Sequence, residues 1–440
     1  MAAVVAGAGF ARMSFAAGPQ RVATGLAGAP SAEESLAQSR ASVSFFEHRL
    51  AVDPDDIDIL NRLSGLYLQR LRETGSFSDL ALALRASQTS LRVVPPVRNA
   101  AGLTSRAMAE FASHEFGPAR DDAQMLLKVD GSGTGYALLS DADAELGDYP
   151  AAKAAFARLR RATGEGDENV ATRRARFALL EGENDVAKAA FSSALAMELG
   201  RVAPSRERIA WYSWQIGDTA FFTGDYATAR ARYEEALDVY PGYFRALASS
   251  GRLDAAQGDV RRAIADYQAA IAELPDPTFV AELGDVYAVS GDRASAAREY
   301  ALVDFIGHLS KINGVMYNRQ LVMFDADHDR NAAEAFRLAS EEYRVRRDIL
   351  GADAVAWTAL KAGKLVDANA AMRAALRLGT RDPRLFFHAG MIARASGDDR
   401  SARTFLREAL DLSPQFDSLQ ARVARVALSQ VTGIRASGVR

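Results

Sequence analysis

Three stretches between Arg208 and Val303 fall into register at a period of about 34 residues. Gly224-Asp225, Gly258-Asp259 and Gly291-Asp292 coincide, as do Ala229, Ala263 and Ala296, then Tyr233, Tyr267 and Tyr300. Pro241 and Pro275 close the first two stretches. Gly217, Gly251 and Gly284 sit near the middle of their first halves. A unit this short cannot bury its own apolar face. Stacked neighbours must supply the core, so the chain is constrained to a solenoid that grows in one dimension.

Each unit reads as two helices. Residues 210–222 form the first and 226–239 the second, with Thr223-Gly224-Asp225 between them. Gly224 can take positive φ and end one helix, and Asp225 can cap the next. Pro241 stops the second helix. Small residues, Gly217, Ala229 and Ala236, fall where helices must approach closely, while Tyr226 and Tyr233 fill the space between them. A bulky side chain at Gly217 or Ala229 would overpack the crossing by about 1–3 kcal/mol.

The coincidence of small residues, aromatics, Gly-Asp turn and closing proline resembles the tetratricopeptide repeat family. That resemblance implies an all-α, right-handed α-solenoid with a concave face lined by the first helices. It also implies binding of peptides or proteins rather than catalysis. A second likeness covers residues 318–414, through NRQLVMFDADHDR, RRDILGADAVAWTALKAGKLVDA and FFHAGMIARASGD. It is similar to a group of bacterial multi-repeat proteins and implies a bacterial origin.

Along the chain the pattern extends to about ten repeats over residues 31–432. It is best formed at 136–160, 208–303 and 354–414, with a capping helix at 416–430 and a tail at 433–440. Residues 31–52 read as an N-terminal capping helix ending at Asp53-Pro54. A weaker repeat follows with an extended turn at 73–76, and residues 129–135 read as a loop. Residues 1–30 stand apart: rich in Ala and Gly, without an acid, and with Arg12 breaking the first apolar run. They read as a disordered leader or as the remnant of an export signal or anchor. The compartment is cytoplasmic under the first reading, exported or envelope-associated under the second. No segment of the repeat region is apolar enough to span a membrane.

Composition narrows the chemistry. A formal net charge of −3 with interspersed signs argues against a nucleic-acid groove, which needs a basic stripe. With no cysteine, thiolate catalysis and Cys-based zinc sites are excluded. Asp325-Ala326-Asp327-His328-Asp329 suggests a metal loop, but Arg330 and Phe336 stand where an EF-hand needs Gly and Glu, so it reads as a solvated acidic turn. Gly131-Ser132-Gly133-Thr134-Gly135 lacks the Lys-Ser/Thr of a phosphate loop. No catalytic residues, metal ligands or cofactor emerge.

Repeat geometry places Trp211, Trp214, Gln215, Asp218 and Phe221 on the concave side, followed by Arg245, Ser249 and Arg252, then Glu282. Phe222, Asp285, Tyr317, Asn318, Trp357 and Phe387 take similar places. Aromatics bordered by arginine are the usual anchors of interfaces. The plainer reading is that Trp211 and Phe222 pack on the preceding repeat. Chaperone-binding relatives hold a carboxylate with Lys and Asn. Here Trp214, Asp218, Ser249, Thr278 and Glu282 stand at those places, though Arg173 and Arg176 could meet an acidic peptide. The leading expectation is a protein-interaction scaffold holding a peptide or protein segment in its concave groove. The second is a structural solenoid assembling into homo-oligomers. An enzyme or metal-binding protein ranks third.

Overall fold

The computed structural model describes Leu26 and residues 30–312 and 319–433. The leader apart from Leu26 and Pro30, the tail beyond residue 433, and positions Tyr317 and Asn318 lie outside the described residues. Within them the chain is all-α, and ten helix pairs follow one another. Helix α1 (Ala32–Val52) leads, its N-terminus closed by a reciprocal capping box between Ser31 and Glu34. The pairs are α2 (Ile57–Thr74) with α3 (Phe77–Val93), and α4 (Ala100–Ala112) with α5 (Phe116–Val129). Next come α6 (Gly133–Leu146) with α7 (Tyr149–Thr163), and α8 (Glu168–Leu180) with α9 (Asn184–Leu199). The central three are α10 (Arg206–Phe222) with α11 (Tyr226–Val239), α12 (Phe244–Ala256) with α13 (Val260–Glu273), and α14 (Pro277–Ser290) with α15 (Arg293–Ile312). Then follow α16 (Arg319–Asp327) with α17 (Ala332–Val345), α18 (Ile349–Lys361) with α19 (Leu365–Ala375), and α20 (Pro383–Ala395) with α21 (Asp399–Leu412). Helix α22 (Gln420–Thr432) closes the array.

The pairing rests on the small residues the repeat sets aside. A Cβ on Gly217 would stand 2.7 Å from the Tyr233 ring, and one on Gly284 would stand 2.5 Å from Tyr300. The ring and the bare backbone therefore form one contact. In the third pair Ser140 takes the glycine's place, and its hydroxyl donates to the Ala152 carbonyl at 3.0 Å, 12 residues on. Ser64 makes the same bond to Ala83 at 3.1 Å, but 19 residues on. The extra seven residues are two helical turns, so the first pair is a lengthened repeat. This corrects the extended turn expected at 73–76, because α2 runs on through Thr74 to a left-handed Gly75. The loop expected at 129–135 likewise shrinks to residues 130–132 between α5 and α6.

The array winds back on itself. The turn of the third pair meets the loop between the eighth and ninth: the Arg347 amide donates to the Leu146 carbonyl at 3.1 Å. The Tyr149 hydroxyl accepts the Ile349 amide at 2.9 Å. The turn of the fourth pair meets the loop between ninth and tenth, where Asn184 donates to the Arg381 carbonyl at 3.3 Å and Thr380 to Leu180. The turn of the fifth meets the loop after the tenth, where Ser413 donates to the Phe221 carbonyl at 3.0 Å. These partners lie 192 to 201 residues apart or close to it. Turn three against loop eight–nine, four against nine–ten and five against ten–cap give one revolution in about five and a half pairs. At the first pair Gly75 abuts Leu274, and at the second Arg346 lies 4.5 Å over the Phe116 ring. The second superhelical turn thus seats on the first along a seam.

Candidate functional site

The seam makes the concave face the inner wall of a lumen. A cavity of about 600 Å³ lies there. Its wall comes from the first helices of pairs two to five with Asn184 and Phe191 of α9, and its floor from the start of α18 and from residues 380–384 at the start of α20, a full superhelical turn later. Of the residues anticipated from sequence, Trp211, Gln215 and Asp218 line it, joined by Phe222. Trp211 also packs edge-on against Phe191 of the preceding pair, with ring centres 5.8 Å apart. It serves both readings at once.

The other anticipated residues lie below, in a hydrogen-bonded layer. Arg252 pairs with Asp218 and spans the rings of Phe221 and Phe222 at 4.8 and 4.9 Å. Asp218 also accepts from the Tyr233 hydroxyl and the Ser249 hydroxyl, each at 2.9 Å. Trp214 donates to Ser249 at 3.0 Å, and Arg245 stacks 5.8 Å above Trp214. Glu282 accepts from Tyr267 at 2.9 Å. Phe221 is fully buried among Ala220, Ala229, Tyr233 and Leu253. It belongs to the core, and Phe222 takes the inward place expected of it. Trp357 and Phe387 are likewise buried core residues.

Arginine and carboxylate alternate around the cavity. Arg173 pairs with Asp141 at 2.5 Å, Arg176 with Glu145 at 2.5 Å, and Arg384 with Asp382 at 3.0 Å. Arg173 and Arg176, read from sequence as open to an acidic peptide, are therefore already neutralised. Arg384 stacks 4.3 Å over Phe222, a geometry that favours a guanidinium on an aromatic face. Arg381 borders the same space, exposed, and no carboxylate pairs with it among the described residues. Leu350, 53 % exposed, adds an apolar surface on the floor.

Toward the C-terminus the lumen fills with acids and their partners. Burial pushes Glu282 up to about 7, against the pull of Arg252. Burial also lifts Asp327 to about 7, against the pull of His388. Asp327 accepts from the Trp357 indole at 2.8 Å and from Gln420 of the cap at 2.5 Å. His328 sits 2.8 Å from Asp285, and His388 sits 2.9 Å from Asp353. Burial opposes the charged form of both rings, yet these carboxylates hold both above the ordinary histidine range. The acidic stretch around His328 is thus a solvated turn only at its end, where Asp329 is exposed. Its Asp327 and His328 point inward and are partnered, because α16 ends at the lumen rather than at the surface. Asp417, just before α22, is raised by burial and then by Asp285, against the pull of the Gln420 and Leu419 amides that it accepts and of Arg384.

The fold defines a class: an α-solenoid of stacked helix pairs. Residues 215–276, 249–303 and 355–415 match the tetratricopeptide repeat model, and the remaining helix pairs continue the same paired, all-α array. No curated protein matches the sequence. Among solved structures it is similar to the APC/C hetero-tetramer Cut9-Hcn1 at 14 % identity, covering 91 % of this chain and 95 % of that one, with a TM-score of 0.33. Yeast Tom70 is similar at 14 % identity over 95 % and 96 %, TM-score 0.33. A tetratricopeptide repeat protein from Parabacteroides merdae is similar at 15 % identity over 60 % and 98 %, TM-score 0.33. Among the described residues no helix is long and apolar enough to cross a membrane.

Proposed function

We propose that this chain is a non-catalytic interaction scaffold that holds a short extended segment of a partner protein inside its superhelix. The observation that carries the reading is the cavity walled by one superhelical turn and floored by the next. Its volume of about 600 Å³ falls within the range of small ligand sites, about 300–1,000 Å³. That suits a few residues of extended chain and not a folded domain. Trp211, Phe222 and Arg384 supply the anchors, being aromatic or arginine and set in a recess. A bacterial origin rests on the phrases of residues 318–414 alone.

The test is titration of an array of nine-residue peptides built from Glu, Leu, Phe, Ser and Gly, followed by fluorescence anisotropy. Some members should bind saturably. Trp211→Ala combined with Arg384→Ala should weaken them at least tenfold while helical circular dichroism stays unchanged. Binding that survives the double change would remove the cavity from the reading. The self-assembling alternative draws on α1, which leaves Phe45 and Val52 56 % and 88 % exposed. Mass that rises with concentration would favour it.

A further inference from the structure

We infer that the resident occupant of the cavity is this chain's own leader, residues 10–25, and that a partner segment gains the cavity by displacing it. The inference rests on the reading above that the cavity takes extended chain, and it concerns what fills the site beforehand. Followed backwards from α1, the described chain walks along the array toward the cavity. Ala32 and Leu36 of α1 pack, beside Trp211 and Trp214, on a core from the fifth and sixth pairs that includes Tyr240 and Ala246. Pro30 lies at the start of α10, where its carbonyl accepts from Arg206. Leu26, 9 % exposed, packs in a cluster built from the fourth and fifth pairs. That cluster also holds Leu179, Phe191 and Trp211, and all three line the cavity. Each step back in sequence is thus a step from pair six toward pair four, and the cavity wall runs on from pair five to pair two.

What precedes Leu26 suits the space. An extended residue spans about 3.3 Å, so residues 10–25 are long enough to run the length of a cavity of about 600 Å³. They hold Phe10, Met13, Phe15 and Val22 and no acid. Their apolar side chains can cover Trp211, Phe222 and Leu350, and they bring no carboxylate against Asp141, Glu145, Asp218 or Asp382. The tether adds to this. A segment joined directly to Leu26 is present at an effective concentration of about millimolar, so even a weak fit keeps the site filled. A partner's affinity is then lowered by the fraction of chains whose cavity stands open. The partner has its own approach, because an open space between the fourth and fifth turns shares Asn184 and Arg381 with the cavity.

The experiment uses the full chain, with photoreactive benzoylphenylalanine in place of Phe15 in one preparation and of Val22 in another. Each is irradiated as an equal mixture of light and isotopically heavy copies, and the crosslinks are mapped by mass spectrometry. They should fall on α8, α10 or residues 380–384, within single copies. A second arm titrates the tightest peptide from the array above against the full chain carrying Phe10→Ser, Phe15→Ser and Val22→Ser. That variant should bind it at least tenfold more tightly than the parent chain. Crosslinks that miss these walls, or that join light to heavy copies, would overturn the leader as resident. Crosslinks in the cavity with unchanged peptide affinity would overturn displacement. If no array member binds either chain, the partner-peptide reading fails and displacement with it, while the crosslinks still decide residence.

Discussion

Two sets of turns share one local shape and differ in what lies outside them. Gly147, Gly182, Gly258 and Gly397 all hold positive φ, at 81°, 75°, 84° and 75°. Each follows a first helix and precedes the cap of a second. Around Gly258 and Gly397 a Cβ would meet nothing within 4 Å. At Gly147 it would stand 2.2 Å from the Arg347 carbonyl carbon, and at Gly182 2.4 Å from the Gly379 oxygen. The first set needs glycine for its dihedral alone. The second needs it also because another superhelical turn presses against the backbone. The residue opening the next helix follows the same division. It is Tyr149 and Tyr226 on two of the seam turns, whose hydroxyls take loop amides, and Asn184 on the third, whose side chain donates to the Arg381 carbonyl instead. On the free turns it is Val260, Arg293 and Asp399, which make no such bond.

The strongest way to break this comparison is alanine at matched glycines. Both Gly147→Ala and Gly258→Ala incur the left-handed strain of about 1–2 kcal/mol. Only Gly147→Ala adds overpacking, about 1–3 kcal/mol more. Urea midpoints should therefore fall further for Gly147→Ala. Its radius of gyration by small-angle scattering should rise as the second turn lifts, with helix content kept. Equal losses and unchanged size would mean that the seam contributes nothing to stability or shape.

A second contrast lies inside the lumen. Arg–carboxylate pairs line the part near the N-terminus, whereas Glu282 and Asp327 are acids lifted to about 7 by burial. The unfolded chain would hold them at ordinary values, near 4. Between about 4 and 7 the folded state then binds protons that the unfolded state has lost, so stability falls as pH rises through that window. His328 and His388, raised as well, act in the same direction at slightly higher pH. Thermal midpoints should be higher at pH 5.5 than at pH 8, by about 1–3 kcal/mol in stability. Glu282→Gln with Asp327→Asn should flatten that slope. A slope unchanged in the double variant would show that these acids titrate normally.

Much of this was legible in the residues, and what was not had a physical reason. The Gly-Asp turns, the small residues at helix crossings and the closing prolines are local devices. They act within one period, so the sequence exposes them. The first-helix face was legible too: Trp211, Gln215 and Asp218 reach the cavity. Phe221 was misplaced because it and its neighbour Phe222 stand about 100° apart on a helix, and periodicity alone does not say which one clears the core. The floor was out of reach. Leu350, Arg381 and Arg384 come to the wall from a superhelical turn away, and the curvature that brings them there is the sum of many small rotations between pairs. One signal could have announced the seam: tyrosine after Gly-Asp at 149 and 226, against valine, arginine and aspartate at 260, 293 and 399.

Tyrosine 226 tests that signal directly. Its hydroxyl lies 3.1 Å from the Ser413 hydroxyl and accepts the Gln415 amide at 2.9 Å. Tyr226→Phe keeps the ring and leaves the amide without its acceptor, at about 1–2 kcal/mol. Pairing it with Ser413→Ala in a double-mutant cycle should give a clear coupling energy, since the two share one network. Zero coupling would make the contact incidental.

The smallest effect is expected where tyrosine is installed rather than removed. Arg293 is exposed at the start of α15, on a turn with nothing above it. Arg293→Tyr should change stability by less than about 0.5 kcal/mol, because no loop amide waits for the hydroxyl. The informative readout is mass by light scattering against concentration. If the mass stays constant, the seam needs a matching loop as well as the tyrosine, and the charged residues on the free turns merely face water. If the variant assembles, the free turns are the same interface lacking one side chain. Arg293 and Asp399 would then be what keeps one copy from seating on the next, much as charges guard the open edge of a sheet.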